Sequence, residues 1–365
     1  MSFRTRLGGA LLLSGAALAL SCGRDRGGGE ATLCRAESIA GCEYTSQGLS
    51  FSERDDLMAT DDLTGRELPL LVRIPEGAGP FPLVVWSHGG GFKANGHHLS
   101  TRWGEAFARH GYAVLHIAHI PLTTEAGTAL CEHGGVPPAE CTPDGDEDTT
   151  GLIAMVKTRD VIAVLDALPA IADEMVAAGD AAVDLDRVAI AGWSAGSRAP
   201  LITHGAVFLP SPSAAPLSMP HALPKAAIAL SPIGPGYAGF FDTGTENTWQ
   251  GTRGPIFVAT GDNDVKPTKP DLTGADRRIA FEKQPADGSR WLLYSGLSPG
   301  VGGHSTFNLD DLGSSDERVA RFSRALRSSA LAFLDATLND DAAATEWLAT
   351  TNASVLAGDA EWVHK

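Results

Sequence analysis

Short apolar runs alternate with longer amphipathic stretches along most of the chain. Seven runs have the length and apolar content of buried strands, at 68–74, 81–87, 113–118, 188–192, 226–230, 255–260 and 290–295. The stretches 155–178 and 317–338 read as helices, and in the second Val319, Phe322 and Leu326 fall close to one helical face. This alternation predicts an α/β fold with a mostly parallel central sheet covered by helices on both faces.

The start of the chain has the pattern of an export signal. Arg4 and Arg6 precede an apolar run over 7–20 that is too short to span a bilayer. The following Leu18-Ala-Leu-Ser-Cys22 resembles a bacterial lipobox, in which the cysteine becomes the lipidated first residue. We therefore predict a lipoprotein signal peptide over 1–21, lipidated Cys22 with a glycine-rich tether over 22–50, and one domain over 51–365. A plain secretory peptide with an incidental cysteine is the alternative.

The remaining cysteines agree with export. Cys34, Cys42, Cys131 and Cys141 allow three pairings, and their close spacings favour Cys34–Cys42 and Cys131–Cys141. Such disulfides form in an oxidising compartment, so we expect a protein of the bacterial cell envelope, lipid-anchored or secreted. None of these cysteines forms a Cys-x-x-Cys unit, and we expect no zinc site.

The charge of the chain limits its partners. A formal net charge of -16 argues against nucleic acid, whose phosphates require basic patches. The acidic run at 144–148 is similar to a calcium loop, but Thr149 replaces the glycine and Met155 the closing glutamate. We expect a solvated loop there, with weak calcium binding as the open alternative, no metal site elsewhere, and a monomer.

One segment indicates nucleophilic chemistry. The strand at 188–192 leads directly into Gly192-Trp-Ser194-Ala-Gly196, a Gly-x-Ser-x-Gly pattern that places a serine on a sharp strand-to-helix turn. The same pattern recurs at 296–300, but there Pro299 lacks an N–H and disfavours helical geometry at Ser298. We predict that Ser194 is a nucleophile and that Ser298 is a turn residue.

A second glycine-rich turn lies upstream. The strand at 81–87 is followed by His88-Gly-Gly90-Gly91-Phe92, which exposes backbone N–H groups. With the N–H of Ala195, those of Gly90 and Gly91 could bind the oxyanion of a tetrahedral intermediate. A flexible glycine turn without a catalytic role is the alternative.

Chain order selects the partners of the serine, since the triad in this architecture runs serine, acid, histidine. His304 follows the strand at 290–295, whereas His364 lies at the end of the chain, where termini fray. Asp262 and Asp264 both follow the strand at 255–260. We favour Asp264 as the acid, and Asp262 as a turn-forming residue.

These motifs together resemble an α/β-hydrolase of the bacterial dienelactone-hydrolase and platelet-activating-factor-acetylhydrolase-like type, some members of which are secreted lipoproteins. Similarity extends from about 68 to 338 and includes the segments 159–168 and 231–236. The His-Gly-Gly-Gly-Phe turn is more similar to esterases of the hormone-sensitive-lipase type. Trp193 stands where the family usually has a histidine. The resemblance implies the α/β-hydrolase fold and a serine hydrolase, but not a particular substrate.

The expected activity is hydrolysis of a small-molecule carboxylic ester by Ser194, Asp264 and His304, without a metal or organic cofactor. Phe92 and Trp193 are candidates to line the acyl or alcohol pocket, although an aromatic residue beside the elbow could equally pack beneath it. A lactonase, amidase or polyester hydrolase would use the same residues. A catalytically inactive, surface-anchored binding module is the alternative from another class.

Overall fold

The structure is a computed structural model that describes residues 43–45, 47–142, 151–266, 269–296, 298, 300–350 and 360–365. Several predicted features therefore lie outside the described residues: the signal peptide, Cys22, most of the tether, the Cys34–Cys42 pair and the acidic run at 144–148. The described residues from 43 onward all belong to one compact unit.

A nine-stranded mixed sheet forms the centre of this unit. Its strands lie in the order β1-β2-β4-β3-β5-β8-β9-β10-β11. The six strands from β4 to β10 are mutually parallel, while β1, β2 and β11 are antiparallel to their neighbours. The strands span Phe51–Asp61 (β1), Arg66–Pro75 (β2), Phe81–Ser87 (β3), Ala113–Ile117 (β4), Val183–Trp193 (β5), Ala226–Leu230 (β8), Ile256–Gly261 (β9), Arg290–Ser295 (β10) and Ala360–His364 (β11). Val207–Phe208 (β6) and Leu217–Ser218 (β7) form a separate pair.

Helices cover both faces of the sheet, as the alternation along the chain predicts. They span Thr101–His110 (α1), Thr124–His133 (α2), Gly151–Ala177 (α3), Arg198–Thr203 (α4), Gly274–Glu282 (α5), Glu317–Leu338 (α6) and Ala342–Thr350 (α7). Successive buried residues of β3 point to opposite faces: Val84 and Trp86 pack with α1 and α6, whereas Leu83 and Val85 pack with α3. The predicted α/β fold class is confirmed.

Both antiparallel edges of the sheet were missed by the hydrophobic pattern. β1 is largely exposed and carries four consecutive charged residues, 53–56, in its first half, so it lacks the apolar run of a buried strand. β11 places His364 in register with Trp291 of β10, and the two rings stack at 4.6 Å. The expectation that this end of the chain frays is therefore wrong.

The predicted Cys131–Cys141 disulfide is present and links the end of α2 to the segment that follows it. Such a bond is typical of proteins that fold in an oxidising compartment. Among the described residues, no helix combines the length and apolar character that a membrane span requires.

Candidate active site

Four polar side chains lie where neighbouring parallel strands end. Ser194 follows β5, Ser231 follows β8, and Asp264 lies three residues beyond β9. His304 is the first residue of a 3-10 helix, His304–Asn308, that comes after β10. Because the carboxyl ends of parallel strands meet at one edge of a sheet, these residues converge although they are far apart in sequence.

Ser194 lies on a tight bend. The backbone is extended at Trp193, changes to a φ of 54° at Ser194, and continues as a short 3-10 helix over Ser194–Ser197. The two flanking glycines permit this path: a Cβ on Gly196 would collide with the carbonyl oxygen of Ser87, and one on Gly192 with the carbonyl of Gly196. A positive φ is strained for a residue other than glycine, and such strain is typical of functional sites.

The imidazole of His304 bridges the serine and the carboxylate. Its Nε2 atom lies 3.0 Å from Ser194 Oγ, and its Nδ1 atom lies 2.8 Å from Asp264 Oδ1. Asp264 is fully buried, whereas the Ser194 residue and the His304 side chain are 6% and 14% exposed. The structure therefore brings together the three side chains that the sequence singled out as a triad.

Asp264 is held by donors on several sides. Thr260 donates its hydroxyl hydrogen to Asp264 Oδ2 at 2.8 Å, and the guanidinium of buried Arg277 lies 3.5 Å from Oδ1 and donates to the Asp264 carbonyl at 3.0 Å. Asp262 instead accepts a hydrogen bond from Tyr294 at 2.5 Å. The acid in contact with His304 is thus Asp264, while Asp262 fixes the end of β10.

Ser231 is a member of this network that the sequence analysis did not single out. Its Oγ atom donates to Asp264 Oδ1 at 2.9 Å and lies 3.0 Å from His304 Nδ1. Ser231 is fully buried and, like Ser194, has a positive φ, of 49°. Its position directly after a buried parallel strand, at the same sheet edge as the other three residues, was the available signal.

The turn at 88–92 lies beside the elbow. The imidazole of His88 is buried and its Nδ1–H donates to the Gly89 carbonyl at 2.8 Å, and burial lowers the pKa of His88 to about 2, so the ring is neutral. Since the peptide is planar and trans, the N–H of Gly90 points the opposite way from the Gly89 carbonyl, away from the buried ring. Ala195 is the second residue of the 3-10 helix, where N–H groups lack intrahelical acceptors.

A cavity of about 310 Å³ opens onto Ser194 and His304, and Gly89, Gly90 and Trp193 also line it. Trp193 in addition contacts the histidine: its Nε1–H donates to the His304 carbonyl at 3.1 Å, and the two rings lie 5.1 Å apart. Phe92 is partly buried and packs on the hydrophobic cluster that includes Leu152 and Phe240.

The second Gly-x-Ser-x-Gly match has a different setting. The Ser298 carbonyl accepts hydrogen bonds from the Val301 N–H at 3.1 Å and from the Asn263 side chain at 2.9 Å. These bonds link the Ser298 carbonyl to Val301 and to the loop that carries Asp264.

The fold and the site define an α/β protein with a buried Ser–His–Asp hydrogen-bond network, in which His304 contacts Asp264, Ser231 and Ser194. The strand order is like that of the α/β-hydrolase fold. No protein-family model matches the chain, and no curated protein matches it in sequence.

Proposed function

We propose that the protein is a serine hydrolase that cleaves carboxylic esters through an acyl-enzyme intermediate. The observation that carries this proposal is the contact of one imidazole with Ser194 Oγ at 3.0 Å on one side and with Asp264 Oδ1 at 2.8 Å on the other. Only one of the two serines near this ring, Ser194, lines the cavity.

The proposed reaction begins with attack of Ser194 Oγ on the ester carbonyl carbon, while His304 Nε2 accepts the hydroxyl proton. The imidazolium is stabilised by Asp264 and then gives its proton to the leaving alcohol. Water attacks the acyl-enzyme, His304 takes a proton from that water, and the return of this proton to Ser194 Oγ releases the carboxylic acid.

The N–H groups of Ala195 and Gly90 are the proposed oxyanion donors, with Gly91 as a further candidate. The direction of the Gly90 N–H, away from the buried His88 ring, supports this assignment. Removal of one such donor typically costs about 2.7–4 kcal/mol of transition-state stabilisation. Trp193 is the proposed wall of the substrate pocket, on the basis of its place in the cavity. The same role for Phe92 has less support, because Phe92 packs on the hydrophobic core.

The proposed setting is the bacterial cell envelope, with the domain over 51–365 attached through lipidated Cys22 and its tether. The lipobox-like segment and the Cys131–Cys141 disulfide support an exported protein. The proposed substrate is a small-molecule ester.

The test is labelling by a fluorophosphonate probe, which reacts with an activated serine. We expect the wild-type protein to be labelled, Ser194→Ala to be unlabelled, and Ser231→Ala and Ser298→Ala to retain labelling. Ser231→Ala is the sharper control because Ser231 contacts the same imidazole but is fully buried.

Folded wild-type protein that takes up no probe would instead favour a non-catalytic binding module. Loss of labelling in Ser231→Ala but not in Ser194→Ala would show that Ser231, and not Ser194, is the nucleophile. With labelling established, a panel of p-nitrophenyl esters of increasing chain length, together with lactones, amides and a polyester, would define the bond that is cleaved.

A further inference from the structure

A second Ser–His–Asp series lies beneath the glycine turn. Ser87 is the last residue of β3, and its Oγ atom lies 2.8 Å from His119 Nε2, while His119 Nδ1 lies 2.9 Å from Asp160 Oδ2 on α3. All three residues are fully buried. They have the same side-chain types as the candidate triad, but neither solvent nor a substrate reaches them.

The protonation states of His119 and Asp160 determine which atom donates in each of these hydrogen bonds. Burial lowers the pKa of His119 well below its usual value, so its ring is neutral. Burial raises the pKa of Asp160 to about 7, with Arg66, which contacts the carboxylate, opposing the shift. Above that pH His119 Nδ1–H donates to the ionised Asp160, and the remaining nitrogen, Nε2, accepts the Ser87 hydroxyl hydrogen.

Two more hydrogen bonds attach the turn to the same region. Lys157 of α3 is fully buried and donates from Nζ to the His88 carbonyl at 3.1 Å. The backbone N–H of Lys93, just after the turn, donates to the His119 carbonyl at 2.7 Å. The turn is therefore fixed at its first residues and just beyond its last one.

The other side of the turn faces the elbow. The carbonyl of Ser87 lies so close to Gly196 that a Cβ there would collide with it. A shift of Ser87 therefore changes the position of the turn relative to the backbone that carries Ser194. Asp160 and Lys157 thus connect the turn to α3, and Gly196 packs it against the elbow.

We propose that Ser87, His119 and Asp160, together with Lys157, are positioning residues that set the oxyanion donors of the 88–92 turn at the right distance from Ser194. This inference rests on the proposed hydrolase function. Oxyanion donors stabilise the transition state only when they lie about 2.7–3.1 Å from the developing charge. A misplacement of about 1 Å can cost on the order of a hundredfold in rate.

The test compares Ser87→Ala with a matched variant. Ser87→Ala should lower kcat by about tenfold to a hundredfold, with KM within about twofold, because the donors act on the transition state rather than on the bound ester. The affinity for a trifluoromethyl ketone, which forms an oxyanion on Ser194, should fall by the same factor as kcat/KM. Ser87→Thr, which keeps the hydroxyl, should restore part of the rate.

Tyr112→Phe is the matched control. It also removes one hydroxyl from a buried histidine–aspartate network, since the Tyr112 hydroxyl donates to Asp335 Oδ1 at 2.6 Å and His110 contacts the same carboxylate at 2.8 Å. Tyr112 immediately precedes β4, at the opposite end of the parallel strands from Ser87. We expect a similar loss of thermal stability but a kcat within about twofold of wild type.

Wild-type kcat in folded Ser87→Ala, or an equal loss of kcat in Tyr112→Phe, would overturn the inference. If Ser87→Ala does not fold, Lys157→Met replaces it with the same expectation, since it removes the bond to the His88 carbonyl. Failure of the hydrolase proposal would differ from both outcomes, because wild-type protein would then not be labelled at Ser194 at all.

Discussion

Three neighbours fix the orientation of the His304 ring. Asp264 and Ser231 lie within 3.0 Å of Nδ1, and Trp193 packs beside the ring and binds the His304 carbonyl. With Nδ1–H directed at the carboxylate, Nε2 is free to accept the proton of Ser194. A fixed tautomer of this kind is what a general base next to a serine requires.

Ser231 and Asp264 should contribute unequally to that tautomer. Asp264→Asn should lower kcat by about 10⁴-fold, since the amide favours the wrong tautomer of His304. Ser231→Ala keeps the direct 2.8 Å contact between His304 and Asp264 and should lower kcat only about tenfold, by the loss of one hydrogen bond to the carboxylate. Steady-state kinetics on one p-nitrophenyl ester measure both. An equal loss in the two variants would contradict this division.

At the level of single residues, local motifs and chain order predict three members of the hydrogen-bond network. Ser194 is marked by its flanking glycines, and Asp264 and His304 by their places after apolar strands. Ser231 carries no motif, and only the packing of β8 between β5 and β9 reveals its contact with the acid. Likewise, the position of Trp193 beside the serine predicts a pocket residue, but no local pattern indicates its hydrogen bond to the His304 carbonyl.

At the scale of secondary-structure elements, the elbow between β5 and α4 leaves no room for a side chain at Gly196. Gly196→Ala would place a Cβ against the Ser87 carbonyl, so the strand end or the turn must move. We expect the free energy of unfolding to fall by about 1–3 kcal/mol and labelling by a fluorophosphonate to be nearly lost.

Gly313→Ala is the control for that variant. An added Cβ at Gly313 meets nothing within 4 Å, and the residue is exposed. It should leave both the urea midpoint and the labelling rate unchanged. Wild-type labelling of Gly196→Ala would show that the elbow can shift without loss of reactivity.

The Cys131–Cys141 disulfide constrains a second element, the end of α2. Cys131→Ala combined with Cys141→Ala opens a loop of sequence separation 10 and should lower the free energy of unfolding by about 2–3 kcal/mol in the loop-entropy model. Urea unfolding with and without reductant measures this. The double variant should unfold at the same urea concentration under both conditions, and a wild-type midpoint in the double variant would contradict the expectation.

The sequence predicts the buried elements more accurately than the exposed ones. β3, β8, β10 and α6 match the predicted ranges, because a fully buried strand or an amphipathic helix has a distinct apolar pattern. β1 pairs with β2 along most of its length, yet it is an exposed edge strand whose polar residues hide that pairing. The order of the strands depends on contacts distant in sequence, and only the resemblance suggested it.

On the scale of the whole molecule, buried neutral histidines should set the acid limit of stability. Burial lowers the pKa of His88, His116, His119 and His204, to about 4 for His204, from an ordinary value of 6.5. Below pH 6.5 the unfolded chain binds protons that the folded chain does not, so stability falls as pH falls. Each histidine costs about 1.4 kcal/mol per pH unit in that range.

Asp160 acts in the opposite direction. Because burial raises the pKa of Asp160 to about 7, the folded protein keeps a proton that the unfolded chain loses above pH 3.8. The contribution of Asp160 to the free energy of unfolding therefore decreases as the pH rises from 3.8 to 7. Four histidines outweigh it. We expect the urea midpoint to fall between pH 7.5 and pH 5.5, and less steeply in His204→Gln. A midpoint that rises with acidification would contradict this balance.

The contact between Trp193 and His304 has an optical consequence. An indole whose ring centre lies 5.1 Å from an imidazole is quenched when that imidazole becomes charged. The difference in fluorescence between wild-type protein and Trp193→Phe, followed against pH, would therefore report the charge of His304 in the absence of any substrate. Trp193 would thus be an intrinsic fluorescent reporter of the proposed general base.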